Sequence, residues 1–198
     1  QASLLLGGTA ADLTDRYDGA PFILQGDPSL IWTKRSGEWQ AVGGLDLLIK
    51  EAQIAEGRIA LSPDQTTLYV STPKSQVIYS FQACSDQLLK NAQPYVLLDS
   101  IDNNRAINAG GLCVDTNGWL YVATSLGIQV CDQAGRVNFI IPTPKQPYDV
   151  CFGGKDLSEL FIACGDTIYK RPTKAKGVVS GQQAPIKPAQ IGRASCRE

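Results

Sequence analysis

Oxygen donors crowd the stretch "DNNRAIN", where Asp102, Asn103, Asn104 and Asn108 fall within seven residues. Carboxylate and amide oxygens of this kind suit a hard cation such as calcium. The same residue types also build loops by bonding their own backbone, and both readings stand at this level. Asp149 poses the same choice. It follows Pro147 at the start of an apolar run, so its carboxylate either faces whatever that strand start lines or caps the turn before it. Asp64, Asp115 and Asp156 each sit in a turn between two apolar runs, and their recurrence at one position points to turn formation. The chain has no His, and Cys84, Cys113, Cys131, Cys151 and Cys164 form no C-x-x-C pair. That argues against a zinc site and against a dense disulfide framework. Cys151 and Cys164 fall on neighbouring predicted strands and are placed to pair; small buried thiols in a β core are the plainer expectation.

The elements that must position these residues repeat. "RIALSPDQTTLYVS" (Arg58–Ser71) reads as strand, Ser-Pro-Asp turn and strand, followed by "QVIYSF" (Gln76–Phe81). "GGLCVDTNGWLYVATSLGIQVCD" (Gly110–Asp132) reads as three strands, with Asn117-Gly118 a strong hairpin signal. "DVCFGGKDLSELFIA" (Asp149–Ala163) repeats the plan and is followed by "TIYK" (Thr167–Lys170). The triplets Leu68-Tyr69-Val70, Leu120-Tyr121-Val122 and Leu160-Phe161-Ile162 occupy one slot, about 40 to 50 residues apart. That period, with three or four antiparallel strands per unit, predicts β-propeller blades. A blade cannot bury both faces alone, so Tyr69, Tyr121 and Phe161 are expected to pack between blades. "RVNFII" (Arg136–Ile141) is the predicted outer strand of its unit. Upstream, "PFIL", "SLIWTK", "EWQAV" and "DLLIK" read as strands, with Ser36-Gly37 a turn and a helix possible over Leu45–Ala55.

The 198 residues carry a net charge of −1 and 43% hydrophobic content, enough to bury a core. Near-neutral charge gives no pull toward nucleic acid or an anionic membrane, and no stretch reaches transmembrane length. The compartment stays open. The absence of Met and the start inside "ASLLLGG" predict an N-terminally truncated fragment. Residues 178–190 read as a loose tail, and the basic residues Lys170, Arg171, Lys174 and Lys176 as solvated surface. "IGRASCRE" (residues 191–198) reads as adapter-derived and is set aside.

The blocks "IALSPDQTTLYVS", "GGLCVDTNGWLYVATSLGIQVCDQAGRVNFIIP" and "VCFGGKDLSELFIACGDTIYKRPTKAKG" resemble the senescence-marker-protein / gluconolactonase / regucalcin family, most of all its bacterial branch. The resemblance runs over Arg58–Gly177 and more faintly upstream. It implies an all-β, six-bladed propeller, of which residues 1–177 would supply about four blades. It further implies one divalent metal, calcium or zinc, at the channel mouth, and hydrolysis of a small-molecule sugar lactone. A hard cation would polarise the lactone carbonyl while a neighbouring carboxylate takes a proton from water.

The family draws its ligands from an N-terminal Glu, two Asn that open inner strands, and the Asp of a Pro-Asp-Gly motif. The first would lie before Gln1. The other three positions fall on Gly26, Gly57 and Gly110. Glycine offers no donor. A one-residue slip would bring up Asp27 or Glu56, and Asn108 lies two before Gly110; a shift of one residue in a strand reverses the face and a bulge can restore it. Asp27, Glu56, Asn108 and Asp149 are therefore the candidate metal ligands, with the family's acid position at Gly110. The expected function is that of a gluconolactonase-like propeller; the alternative is a non-catalytic propeller serving as a binding scaffold.

Overall fold

The computed structural model describes residues 10–19, 21–25, 30–36, 38–41, 57–73, 75–84, 89–100 and 107–188. Among them there is no helix, and fifteen strands form four antiparallel sheets. The first sheet holds β1 (Ala10–Thr14), β2 (Phe22–Gln25), β3 (Leu30–Arg35) and β4 (Glu38–Ala41) in sequence order. The second holds β5 (Arg58–Leu61), β6 (Thr67–Ser71), β7 (Val77–Ala83) and β8 (Leu89–Leu97). The third holds β9 (Leu112–Val114), β10 (Leu120–Thr124), β11 (Gly127–Cys131) and β12 (Val137–Ile141). The fourth has three strands, β13 (Asp149–Gly153), β14 (Glu159–Cys164) and β15 (Thr167–Pro172). Each sheet meanders from its innermost strand outward, and β1, β5, β9 and β13 touch in series. These are four propeller blades.

Three apolar seams hold the blades together. Phe22, Leu24 and Ile31 of blade 1 meet Ile59, Leu61, Leu68 and Val70 of blade 2. Tyr69, Ile78 and Val96 of blade 2 meet Leu112, Val114, Leu120 and Val122 of blade 3. Tyr121, Ala123, Ile128 and Val130 of blade 3 meet Val150, Leu160 and Ile162 of blade 4. The period-2 alternation of a strand explains the division. In each triplet the flanking aliphatics face the preceding blade, and in blades 2 and 3 the central aromatic faces the following one. Leu68, Leu120 and Leu160 are all fully buried and stand in successive seams. Tyr69 stacks on Tyr95 at 5.1 Å, and Tyr121 meets Phe152 edge-on at 5.0 Å. Phe161 departs from expectation: it is half-buried and lies on the far face of blade 4, outside the seam.

Of the weak leading region, "PFIL", "SLIWTK" and "EWQAV" give β2, β3 and β4, while "DLLIK" and the helix expected over Leu45–Ala55 lie outside the described residues. β1 and β8 carry little sequence signal. β8 contains Pro94, which a strand accepts only at an edge, and β8 is the outermost strand of its blade. Cys151 and Cys164 do not pair. Register sets Cys151 opposite Phe161 and Cys164 opposite Thr167, with the first exposed and the second buried.

Residues 178–188, which read as a loose tail, are tied down. The buried side chain of Gln65 donates through Nε2 to the carbonyls of Ser180 (2.8 Å) and Gln183 (3.2 Å) and accepts from Tyr17 N. Ile186 N donates to Pro63 O, and a bridge joins Asp115 to Gly177. The composition is loop-like, but the backbone finds partners on the blades, which sequence periodicity does not report.

Candidate functional site

Each blade has two ends. At one, the inner strand turns into its neighbour; at the other, the inner strand begins. The turn end is held by side-chain oxygens in blades 2 and 3, but not by acids at one recurring position as expected: register sets Asp115 level with Ser62, and Asp156 of blade 4 is exposed. Asp64 accepts from Ser62 Oγ (2.6 Å), Thr66 N (3.1 Å) and Thr66 Oγ1 (2.8 Å). Burial alone would raise its pKa, and these donors instead bring it below the ordinary carboxylate value. Asp115 accepts from Asn117 N and Trp119 N at 2.9 Å each, with Tyr121 OH at 3.4 Å. Gly118, at φ +77, supplies the left-handed residue that this turn needs. A cavity of about 920 Å³ opens at this end between blades 2 and 3, lined by Ser62, Asp64, Tyr69, Tyr95 and Lys187 among others. Its acid is already committed to the turn.

The mouth end differs from blade to blade. Arg58 pairs with Ser71 and Asp149 with Ala163. In blade 3 both Gly110 and Gly111 oppose one residue: Gly110 N donates to Ala123 O and Ala123 N donates to Gly111 O, each at 2.9 Å. That is a β-bulge at the rim of the channel. Arg58, Gly111 and Asp149 thus occupy one rung of three consecutive inner strands. Ala60, on the same face of β5 as Arg58, packs into the seam with blade 3. The guanidinium donates through Nη1 to Gly57 O at 3.0 Å.

The glycine pair lies under blade 4. Gly111 N donates to Tyr148 O at 2.9 Å. A Cβ added at Gly110 would strike that same carbonyl oxygen, 3.0 Å from its carbon. A Cβ added at Gly111 would fall within the Asp149 carboxylate and 2.9 Å from Asp149 Cα. Only glycine permits this approach. The carboxylate of Asp149 therefore fills the space that a side chain at 111 would take. Asp149 is exposed, and its Oδ1 accepts from Val150 N at 2.8 Å. Ser71 Oγ donates to Gly110 O at 2.7 Å and ties blade 2 to the bulge. Opposite Gly57, the buried Thr72 Oγ1 has no partner among the described residues.

Of the expected candidates, Asp149 is on the rung. Asn108 is exposed at φ +48, two residues before the bulge, and makes no hydrogen bond to Asp149. Asp27 and Glu56, with Gly26 and residues 102–104, lie outside the described residues. Among the described residues no three His, Cys, Asp or Glu side chains come together. The nearby thiols are no substitute. Burial, then Cys151 and Asp149, push Cys113 well above the ordinary thiol value, and burial followed by Asp149 raises Cys151. Arg58 escaped notice in the sequence, since a lone Arg before an apolar strand has no pattern. The signal was its place in the repeat, the residue that is glycine in the next unit.

Four antiparallel blades whose inner strands touch in series define a β-propeller. The profile of the SMP-30/Gluconolactonase/LRE-like region matches residues 35–165, and the chain belongs to that family. Rabbit (Oryctolagus cuniculus) regucalcin is 40% identical over 72 residues, 31% of this chain and 24% of that protein. A lactonohydrolase of Aspergillus oryzae is 31% identical over 107 residues, 53% of this chain and 21% of that protein. The chain thus spans about a quarter or less of the curated relatives it matches. In three dimensions it resembles a gluconolactonase of Xanthomonas campestris, with a TM-score of 0.66, 23% identity, and coverage of 84% of this chain and 58% of that one. It also resembles a calcium-binding regucalcin of Agrobacterium tumefaciens, at 0.69 and 17%, covering 94% and 68%. These likenesses establish the propeller fold.

Proposed function

We propose that this chain carries the ligand mouth of a gluconolactonase-like propeller and that a small sugar lactone is bound and hydrolysed there. The observation that supports the reading is the Gly110–Gly111 bulge at the start of an inner strand, with the Asp149 carboxylate of the next blade lying over it.

The family implies calcium or zinc, and the described residues do not fit one. Gly57 and Gly110 stand at two of the expected ligand positions and offer no side-chain oxygen. At Gly110 there is no room for one, because Tyr148 O already occupies its place. No step is therefore routed through a metal. The same glycines favour a second reading, in which the mouth binds a lactone or its hydroxy acid without turning it over.

The test uses the full chain. D-glucono-1,5-lactone hydrolysis is followed by acid release against the spontaneous rate, with calcium, zinc or EDTA added, and lactone binding is followed by calorimetry. Acceleration that EDTA does not abolish supports metal-free hydrolysis. Saturable binding without acceleration supports the scaffold. Acceleration only with added metal shows that the metal fits after all, and neither binding nor turnover overturns the lactone reading.

A further inference from the structure

The acid of the family's motif is missing from blade 3, yet a carboxylate stands over the same bulge. It comes from the next blade. Asp149 begins β13, one blade on from Gly111, and its side chain lies against Gly111 Cα in the volume that only a glycine leaves open. Among the described residues it is the one carboxylate on the rung. Asp64, Asp115 and Asp132 are engaged by turn N–H groups, and Asp166, in the β14–β15 turn, pairs with Lys145. Asp149 has a single hydrogen-bond donor, Val150 N, and faces solvent. A carboxylate so placed retains capacity to accept a proton.

We propose that Asp149 is the working acid–base group of this mouth, a carboxylate moved one blade along and seated over a paired glycine floor. The inference rests on the lactone reading above. In the step, the oxygen of a water bonds to the lactone carbonyl carbon while Asp149 takes the water's proton. The ring C–O bond then breaks, and Asp149 returns that proton to the departing ring oxygen. The product is the open hydroxy acid, and the carboxylate is regenerated.

Asp149→Asn keeps the side chain's shape and its acceptor for Val150 N but removes the base. With D-glucono-1,5-lactone and the full chain, kcat is expected to fall about 100-fold or more, with KM and melting temperature little changed. Asp149→Ala provides a second readout, since added formate should restore part of its rate if the missing function is a base. A purely structural role would give no such rescue. Turnover by the wild type that survives in Asp149→Asn overturns this inference and leaves the lactone reading intact. An Ala variant that formate does not rescue also counts against it. A wild-type chain that neither binds nor hydrolyses the lactone overturns both.

Discussion

The two ends of the blades obey different rules. At the turn end, successive units do the same job with a side-chain oxygen: register sets Ser62 level with Asp115, and Ser62 Oγ accepts from Thr67 N as Asp115 Oδ1 accepts from Trp119 N. At the mouth end, equivalent positions hold Arg58, Gly111 and Asp149, three residues with nothing in common chemically. In a pseudo-symmetric scaffold, a position required by the fold must satisfy the same geometry in every blade, so it repeats. A position required by a ligand sees a different part of that ligand from each blade, so it diverges. Repetition marks the scaffold, and divergence is what a ligand site at the mouth would require.

Replacing the acid that holds the blade 3 turn should cost the fold most. Asp115→Ala removes the acceptor of Asn117 N and Trp119 N beneath a buried Tyr121 and beside the bridge to Gly177. Leaving such donors unsatisfied is expected to cost about 2 to 3 kcal/mol, read as a lower denaturant midpoint at unchanged slope. Lactone binding by the surviving folded fraction should be unaltered. A variant that keeps its stability but loses binding would break the division between the two ends.

Gly111→Ala tests the mouth from the other side and should have a smaller effect on stability. The carboxylate of Asp149 can swing away, but Asp149 Cα, 2.9 Å from the new Cβ, cannot do so without moving β13. Overpacking of this kind costs about 1 to 2 kcal/mol. Turnover should suffer more than the fold, because the displaced carboxylate loses its seat over the bulge. Equal loss in Gly111→Ala and in a remote variant of matched stability would show that the seat does not matter.

Much of this scaffold is legible in the sequence, for a physical reason. Blade seams need an aliphatic-aromatic-aliphatic triplet at a fixed rung, which leaves periodic marks at Leu68, Leu120 and Leu160, and turns need Asp or Asn-Gly, which leaves marks at Asp64 and Asp115. The outer strands are less constrained. β8 is half-exposed and interrupted by Pro94, and it reads as loop until its pairing with β7 is seen. The strap over residues 178–188 is invisible because its ties are backbone carbonyls, which every sequence possesses. At the mouth, Gly110 reads as the loss of an acid. That Asp149 leans into the space next to it depends on the approach of two blades, and no local pattern encodes that distance.

The smallest expected effect belongs to a turn that is not repeated in the same form. Asp132 closes the β11–β12 hairpin, accepting from Ala134 N at 2.9 Å and Arg136 N at 3.1 Å through Oδ1, and from Arg136 Nε and Nη2 through Oδ2. Burial tends to raise its pKa, but donors from Asn138, Arg136 and Ala134 outweigh that and hold it at about 2, against 3.8 ordinarily. A carboxyl with a depressed folded-state pKa stabilises the fold fully above the unfolded value. That contribution is lost as the pH falls from about 4 through about 2. Because the Arg136 side chain is 72% exposed, its ion pair adds little, and the hydrogen bonds to backbone N–H should dominate. Asp132→Asn is therefore expected to be less stable than the wild type by about 1 kcal/mol near neutral pH, the two melting curves converging as the pH approaches 2. Curves that stay parallel across that range would show that the hairpin depends on the shape of the side chain and not on its charge.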